Sequence, residues 1–329
     1  MIATGPAGTS TRAGLGEDPK LDARRFDIVA LGEAMIEFNE ARAADSRTWL
    51  QGFGGDTSNM AIAAARLGAR VAYMTRVGGD AFGRMLVDLW RSERVATDGV
   101  AVDDDAPTGV YFVAHGQNGH EFSYLRAGSA ASRMTPASLS QDVLRATGVL
   151  HLSAISQAIS SSACDACFAA IDIARDAGAR IAYDTNLRLK LWPLRRAKAV
   201  ILETLRIVDW ALPGYDDATH LFDDDDPMRI VDACHGHGCG VVVLKLGRDG
   251  CVVSDGTTRA RIDGVRVQSV DATGAGDCFD GAFAARMVAG DDPFAAARYA
   301  NTAAALATTG YGAVAPLPRA VDVERFVAR

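Results

Sequence analysis

The sequence predicts an α/β fold: a sandwich with a mostly parallel central sheet flanked by helices, plus a small β lid. Three observations carry this. Short apolar runs alternate with helical patterns from residue 26 onward, and repeated βα units of this kind bury a parallel sheet under helices on both faces. Two segments, 35–54 and 108–126, break the rhythm with alternating, hairpin-like patterning. The chain has 329 residues and 49% hydrophobic content, enough for one large core, and it shows no internal repeat.

Residues 1–24 are rich in Gly, Ser, Thr, Ala and charge, and are expected to be a disordered leader ahead of one domain at 25–329. Residues 26–31 read as a strand, and 35–54 as the first lid segment. A helix follows at 59–67, with Met60, Ala63, Ala64 and Leu67 on one face and Gly68 as its stop. Residues 71–75 form a strand and 82–93 a helix. In the second lid segment, strands at 111–113 and 121–124 flank a Gln117-Asn118-Gly119 turn. Strands at 148–152 and 181–184 alternate with helices at 163–177 and 195–207. Further strands are expected at 210–213, 241–244 and 265–270. Phe279, Ala282, Phe283, Arg286 and Met287 then fall at helical spacing up to Gly290, and the chain ends in helices near Ala297 and Val321.

The net charge is −7 and lysines occur only at 20, 190, 198 and 245, so nothing suggests a polybasic surface and nucleic acid is not expected as a partner. No apolar run approaches the roughly 20 residues of a membrane span. Arg24-Arg25 precedes an amphiphilic strand rather than the apolar core of a signal peptide, so the protein is expected to be cytoplasmic. Six cysteines are scattered without paired half-sites. Cys234-His235-Gly-His237-Gly-Cys239 contains metal-ligand types, but no matching pair stands elsewhere, and it reads as a helix end and turn.

The most informative stretch is Asp271-Ala-Thr-Gly-Ala-Gly-Asp277, directly ahead of the helix containing Phe279. Gly274 and Gly276 bare the backbone so that N–H groups can approach an anion, and the helix N-terminus adds its positive dipole end. A carboxylate beside such a nest is a poor static anion binder. Asp277 makes sense if it removes a proton from a hydroxyl that attacks a phosphate. Taken alone, Gly-x-Gly-Asp would be an ordinary acidic helix start. No Gly-Lys dipeptide exists for a P-loop, and Phe279 stands where a dinucleotide fingerprint needs its third Gly.

The whole string resembles the D-T-x-G-A-G-D signature of ribokinase-type (PfkB) carbohydrate kinases, and the resemblance runs from about Gly32 to Gly312. It implies a ribokinase-like sandwich and lid, with Gly274, Ala275 and Gly276 as anion hole and Asp277 as catalytic base. Gly52-Phe-Gly-Gly-Asp-Thr-Ser-Asn59 is by itself a well-capped helix start; the resemblance makes Gly55, Asp56 and Asn59 sugar-binding. Tyr124-Leu-Arg126-Ala-Gly-Ser, Asp184-Thr-Asn186-Leu-Arg188 with Leu191-Trp192, and Tyr111 after Thr108-Gly109 resemble 2-keto-3-deoxygluconate (KDG) kinases most. That implies ATP-dependent phosphorylation of the terminal hydroxyl of KDG, with Tyr111 and Tyr124 on the lid. Arg126 and Arg188 would hold the sugar's carboxylate, since arginine forks bind carboxylates bidentately. A neutral sugar such as fructose or ribose, or a non-catalytic sugar- or nucleotide-binding regulator, are the alternatives.

For ATP the resemblance implies Gly214, Lys245, Gly247, Gly250, Gly274, Gly276 and Asn301. The family's Asn-x-x-Glu motif falls on Gly214-Tyr-Asp-Asp217, so the Mg²⁺ role passes to Asp217, with Asp216 as fallback. It also places a monovalent cation near 271–273 and 309–313. An exposed lid sheet would offer a surface for a homo-oligomer.

Overall fold

The computed structural model describes residues 24–41, 48–116 and 119–328. Most of the expected leader, and Gln117 and Asn118 of the expected turn, lie outside the described residues.

The main sheet has nine strands in the order β13-β12-β11-β10-β9-β8-β1-β4-β5. They are β1 (Phe26–Leu31), β4 (Val71–Gly78), β5 (Ala96–Asp103), β8 (Thr147–Ser153), β9 (Arg180–Asp184), β10 (Trp210–Ala211), β11 (Val241–Lys245), β12 (Cys251–Ser254) and β13 (Arg259–Ile262). All pairings are parallel except β11 with β12 and β12 with β13, which are antiparallel at one edge. From β1 the chain passes to β4 on one side and later to β8 on the other. That switch point opens a crevice at the carboxyl ends of the strands, where α/β sheets bind ligands.

Eleven helices pack on the described sheet: α1 (Asp56–Arg66), α2 (Ala81–Ser92), α3 (Gln141–Arg145), α4 (Ala154–Ala158), α5 (Ser161–Asp176), α6 (Leu194–Leu205), α7 (Tyr215–Phe222), α8 (Pro227–His237), α9 (Ala275–Val288), α10 (Pro293–Ala307) and α11 (Ala320–Val327). They divide into two layers, one apolar core on each face of the sheet. Helix α9 is buried along its whole middle, Cys278 through Ala285, and Gly281 lets it approach α1 closely: a Cβ there would stand 2.5 Å from the Met60 carbonyl oxygen. This central helix carries Asp277 in its first turn.

The lid is a separate four-stranded sheet, β3-β2-β6-β7, made of β2 (Met35–Glu40), β3 (Trp49–Gly54), β6 (Gly109–Gly116) and β7 (Gly119–Leu125). Phe38 and Phe112 stack at 5.4 Å on one face, with Phe38 edge-on to Phe82 of α2. Tyr111 stacks with Tyr124 at 5.8 Å on the other face. The alternation of sides along β6 is what its period-2 pattern requires.

One expected element does not form. Residues 265–270 are not a strand, because the sheet has already ended at β13. The Val270 and Asp271 N–H groups donate instead to the Thr308 carbonyl oxygen, at 2.7 and 3.1 Å, just past α10. The Cys/His string closes α8 at Gly238, a left-handed C-cap (φ 115°). His235 is engaged by the Cys239 carbonyl and the Ser254 hydroxyl, both at 2.8 Å. Among the described residues, no group of three or more His, Cys, Asp or Glu side chains is placed to hold a metal. No helix among them is long and apolar enough to cross a membrane.

Candidate active site

A cleft of about 940 Å³ opens at the strand carboxyl ends, between the main sheet and the Tyr111 face of the lid. Its floor is the turn into α9. Gly274 takes a left-handed conformation (φ 75°), and a Cβ there would lie 3.0 Å from the Ala313 carbonyl oxygen, so only glycine fits without strain. Asp271 ties this turn to the neighbouring loop, accepting from the Thr273 N–H and hydroxyl and from the Gly312 N–H at 3.0 Å. The Ala275 N–H donates to the Ala272 carbonyl oxygen at 3.2 Å. The Gly276 and Asp277 N–H groups of the first turn precede the first intrahelical bond, from Cys278 to Gly274, and are the ones placed to face an anion.

Asp277 lies in the cleft, and one carboxylate oxygen accepts from the Asn59 side-chain amide of α1 at 2.8 Å. Burial pushes its carboxyl up, and the nearby Asp56 and Asp184 carboxylates add to this, against the Asn59 bond and the Lys245 ammonium. A carboxylate raised toward neutrality is a stronger base once ionised, as proton abstraction from an alcohol needs.

Of the expected sugar-side residues, Gly55, Asp56, Asn59, Tyr111, Tyr124, Arg126 and Arg188 all line this cleft. Their partners were not foreseen. Arg126 forms an ion pair with Glu33, a buried residue just past β1 that also accepts from Ser129 at 2.5 Å. Arg188 stands 3.6 Å from Asp217 and donates to the Leu187 carbonyl oxygen at 2.9 Å. Tyr111 donates to Glu37 within the lid. Asp56 accepts from Asn186 at 3.1 Å. A charged residue in an otherwise apolar run, Gly32-Glu33-Ala34-Met35, was the sequence signal for Glu33.

On the nucleotide side, Gly214, Lys245, Gly247, Gly274 and Gly276 line the cleft. Gly250 and Asn301 do not reach it. Gly250 makes the tight turn against β13, where a Cβ would stand 1.9 Å from the Ile262 carbonyl oxygen. Asn301 is buried and its amide donates to the Asp263 carbonyl oxygen at 2.7 Å, so both support the loop from behind. Asp217 lines the cleft with Asp216, but it also accepts the Leu187 N–H at 2.9 Å. Two adjacent carboxylates at the cleft suit Mg²⁺, which keeps several of its waters and needs only one or two protein carboxylates.

An α/β sandwich with a lid sheet, a helix-start anion nest and a buried carboxylate beside it defines a phosphoryl-transfer enzyme. Residues 25–320 match the sequence profile of the pfkB family carbohydrate kinases. The chain is 32% identical to fructokinase-2 of Solanum habrochaites over 317 residues, covering 90% of this chain and 94% of the relative. It is also 32% identical to the 2-dehydro-3-deoxygluconokinase of Bacillus subtilis (strain 168) over 262 residues, 78% and 81% of the two chains. The structure superposes on a PfkB protein from Polaromonas sp. JS666 with TM-score 0.83 at 27% identity, covering 91% of this chain and 99% of the other. It superposes equally on fructokinase from Vibrio cholerae O395 with fructose, ADP and calcium bound, with TM-score 0.83 at 26% identity, covering 92% and 99%. The chain belongs to the pfkB family and is an ATP-dependent carbohydrate kinase. ATP and Mg²⁺ are typical ligands of that family.

Proposed function

We propose that the enzyme transfers the terminal phosphoryl group of ATP to the terminal hydroxyl of a six-carbon 2-keto sugar, with fructose as the leading substrate. The observation that carries fructose is the state of the two cleft arginines. Arg126 is ion-paired with Glu33, and Arg188 stands 3.6 Å from Asp217 with its Nη1 on the Leu187 carbonyl oxygen, so a substrate carboxylate would compete with an acid already beside each guanidinium. A neutral sugar needs only hydroxyl contacts, and Asp56, Asn59 and the Gly55 backbone line the cleft for them. The fructokinase relatives, near full length on both sides, support the same choice.

Asp277 takes the proton from the acceptor hydroxyl. The Gly276 and Asp277 N–H groups stabilise charge on the transferred group. Asp217 and Asp216 would hold Mg²⁺, which when bound neutralises phosphate charge. The lid excludes water that would otherwise hydrolyse ATP.

KDG is the second reading, favoured by the Bacillus subtilis relative and by the presence of both arginines in one cleft. There the carboxylate would share a guanidinium with Glu33 or Asp217, and the half-exposed Arg188 is the more open of the two. The ratio of kcat/KM for KDG over fructose decides between them. A ratio below one is expected. A ratio above one that drops about tenfold or more in Arg188→Leu, the cost of one charge-assisted bond, would establish the acid sugar instead.

Lid closure has its own readout. Amide exchange across β6 and β7 is expected to slow when fructose and a non-hydrolysable ATP analogue are added, because Tyr111 and Tyr124 then pack on sugar. Unchanged exchange at saturating ligand would make the lid a fixed wall.

A further inference from the structure

Lys245 ends β11 and points its ammonium into a buried acidic pair. Nζ lies 2.9 and 3.0 Å from the two Asp280 oxygens and 3.2 Å from Asp184. Both aspartates are almost wholly buried. Asp280 sits one turn after Asp277 on α9, and Asp184 ends β9, so the lysine joins two strand ends to the catalytic helix. The same Nζ stands 3.9 Å from where a Cβ would be on Gly276. The ammonium has three N–H groups, and its three oxygen neighbours are all carboxylate.

We propose that Lys245 is a positioning residue for phosphoryl transfer rather than a nucleotide ligand: clamped by Asp280 and Asp184, it fixes the floor beneath Gly276 and sets the charge balance felt by Asp277. This rests on Asp277 as the base.

The charges support it. Burial pulls the Lys245 ammonium toward neutrality, but the two aspartates more than reverse this and keep it protonated. Burial pushes Asp184 up, yet the lysine and its hydrogen bonds outweigh that and hold it below its usual value. Asp280 goes the other way, pushed well up by burial against the pull of the lysine. The groups facing Asp277 from the elements around it are Asp56 and Asn59 on α1, Asp184 on β9, Lys245 on β11 and Tyr111 on β6. Lys245 is the cation among them, and it opposes the rise of Asp277.

Lys245→Met tests this by pH profile and by calorimetry of ATP binding without sugar. Loss of the ammonium is expected to move the acid limb of kcat upward by about one pH unit and to lower kcat at neutral pH by about tenfold, with ATP affinity within about threefold of wild type. If ATP affinity falls tenfold or more while the acid limb stays in place, Lys245 is a phosphate ligand and the proposal is wrong. If both stay in place and only the melting temperature drops, the lysine is a strut alone, and the proposal is equally wrong. Should Lys245→Met not fold, Lys245→Met with Asp280→Leu removes the lysine with its two-oxygen partner and leaves Asp184 on the Asn186 N–H, and the same limb shift is expected. Asp277→Asn, measured alongside, separates the two ideas. Turnover surviving in that variant rejects the base, whereas an unmoved limb in the lysine variants rejects only the role of Lys245.

Discussion

Asp277→Asn is expected to reduce turnover by about 10²–10⁴-fold, the usual scale for removing general acid–base catalysis. The substitution keeps the volume and the polar shape of the side chain. Asn59 already holds one oxygen at 2.8 Å, so the other is the one that accepts the hydroxyl proton. An amide cannot accept it. ATP binding should persist, because the phosphate-facing donors are backbone N–H groups, which the substitution leaves untouched. The pH profile supplies a second check. Burial and the Asp56 carboxylate raise Asp277 above the ordinary carboxylate value. A base works only when ionised, so wild-type turnover should fall as pH drops through that raised value, well above the roughly 4 of a solvated Asp. Residual activity in Asp277→Asn should lack this limb. Near-normal turnover in the variant would remove Asp277 from the mechanism.

The helix-start string at 271–277 was legible because it is local. Two glycines, a helix start and a carboxylate lie within seven residues, and each has its own physical reason to be there. The alternating βα rhythm gave away the parallel sheet for the same reason, since periodicity is a short-range signal. What could not be read is what depends on distant partners. The antiparallel edge, β12 and β13, consists of two four-residue strands, too short for their patterning to fix direction or partner. Residues 265–270 alternate like a strand, but a strand also needs a neighbour, and the sheet stops one element earlier. Arg126 and Arg188 read as free forks because Glu33 and Asp217 are 93 and 29 residues away in the chain (126 − 33 and 217 − 188). Lys245 entered the ATP side only through the resemblance, because the sequence shows a strand and a tight turn, not the two aspartates beside its ammonium. Asn301 and Gly250 matched a motif, but their contacts with Asp263 and Ile262 join segments far apart in sequence and could not be read from it.

Gly281→Val is expected to lower both stability and turnover from outside the cleft. Gly281 lies on α9 where it crosses α1. A Cβ there would stand 2.5 Å from the Met60 carbonyl oxygen, 2.8 Å from the Ala63 side chain and 3.0 Å from the Ala64 backbone nitrogen. Two of the three obstacles are backbone, so no rotamer change relieves them and the helices must separate. Overpacking a tight core site costs about 1–3 kcal/mol and occasionally more, and valine adds two methyl groups to the clash. A loss of about 3 kcal/mol would lower the melting temperature by roughly 4 °C in a chain of this size. The consequence reaches the site. Asn59 precedes Met60 on α1 and Asp277 lies one turn before Gly281 on α9, so their 2.8 Å hydrogen bond spans the same helix pair. Separation lengthens it, and kcat should fall along with stability even though no cleft residue has changed. Gly236 gives the comparison. It lies in α8, and a Cβ there would meet nothing within 4 Å. Gly236→Ala should be neutral or stabilise by up to about 1 kcal/mol through helix propensity, whereas Gly281→Ala, the same chemical change, should destabilise. Thermal unfolding of the two alanine variants side by side decides it. If Gly281→Ala melts at or above wild type, α1 and α9 have slack at the crossing, and their spacing does not hold Asn59 against Asp277.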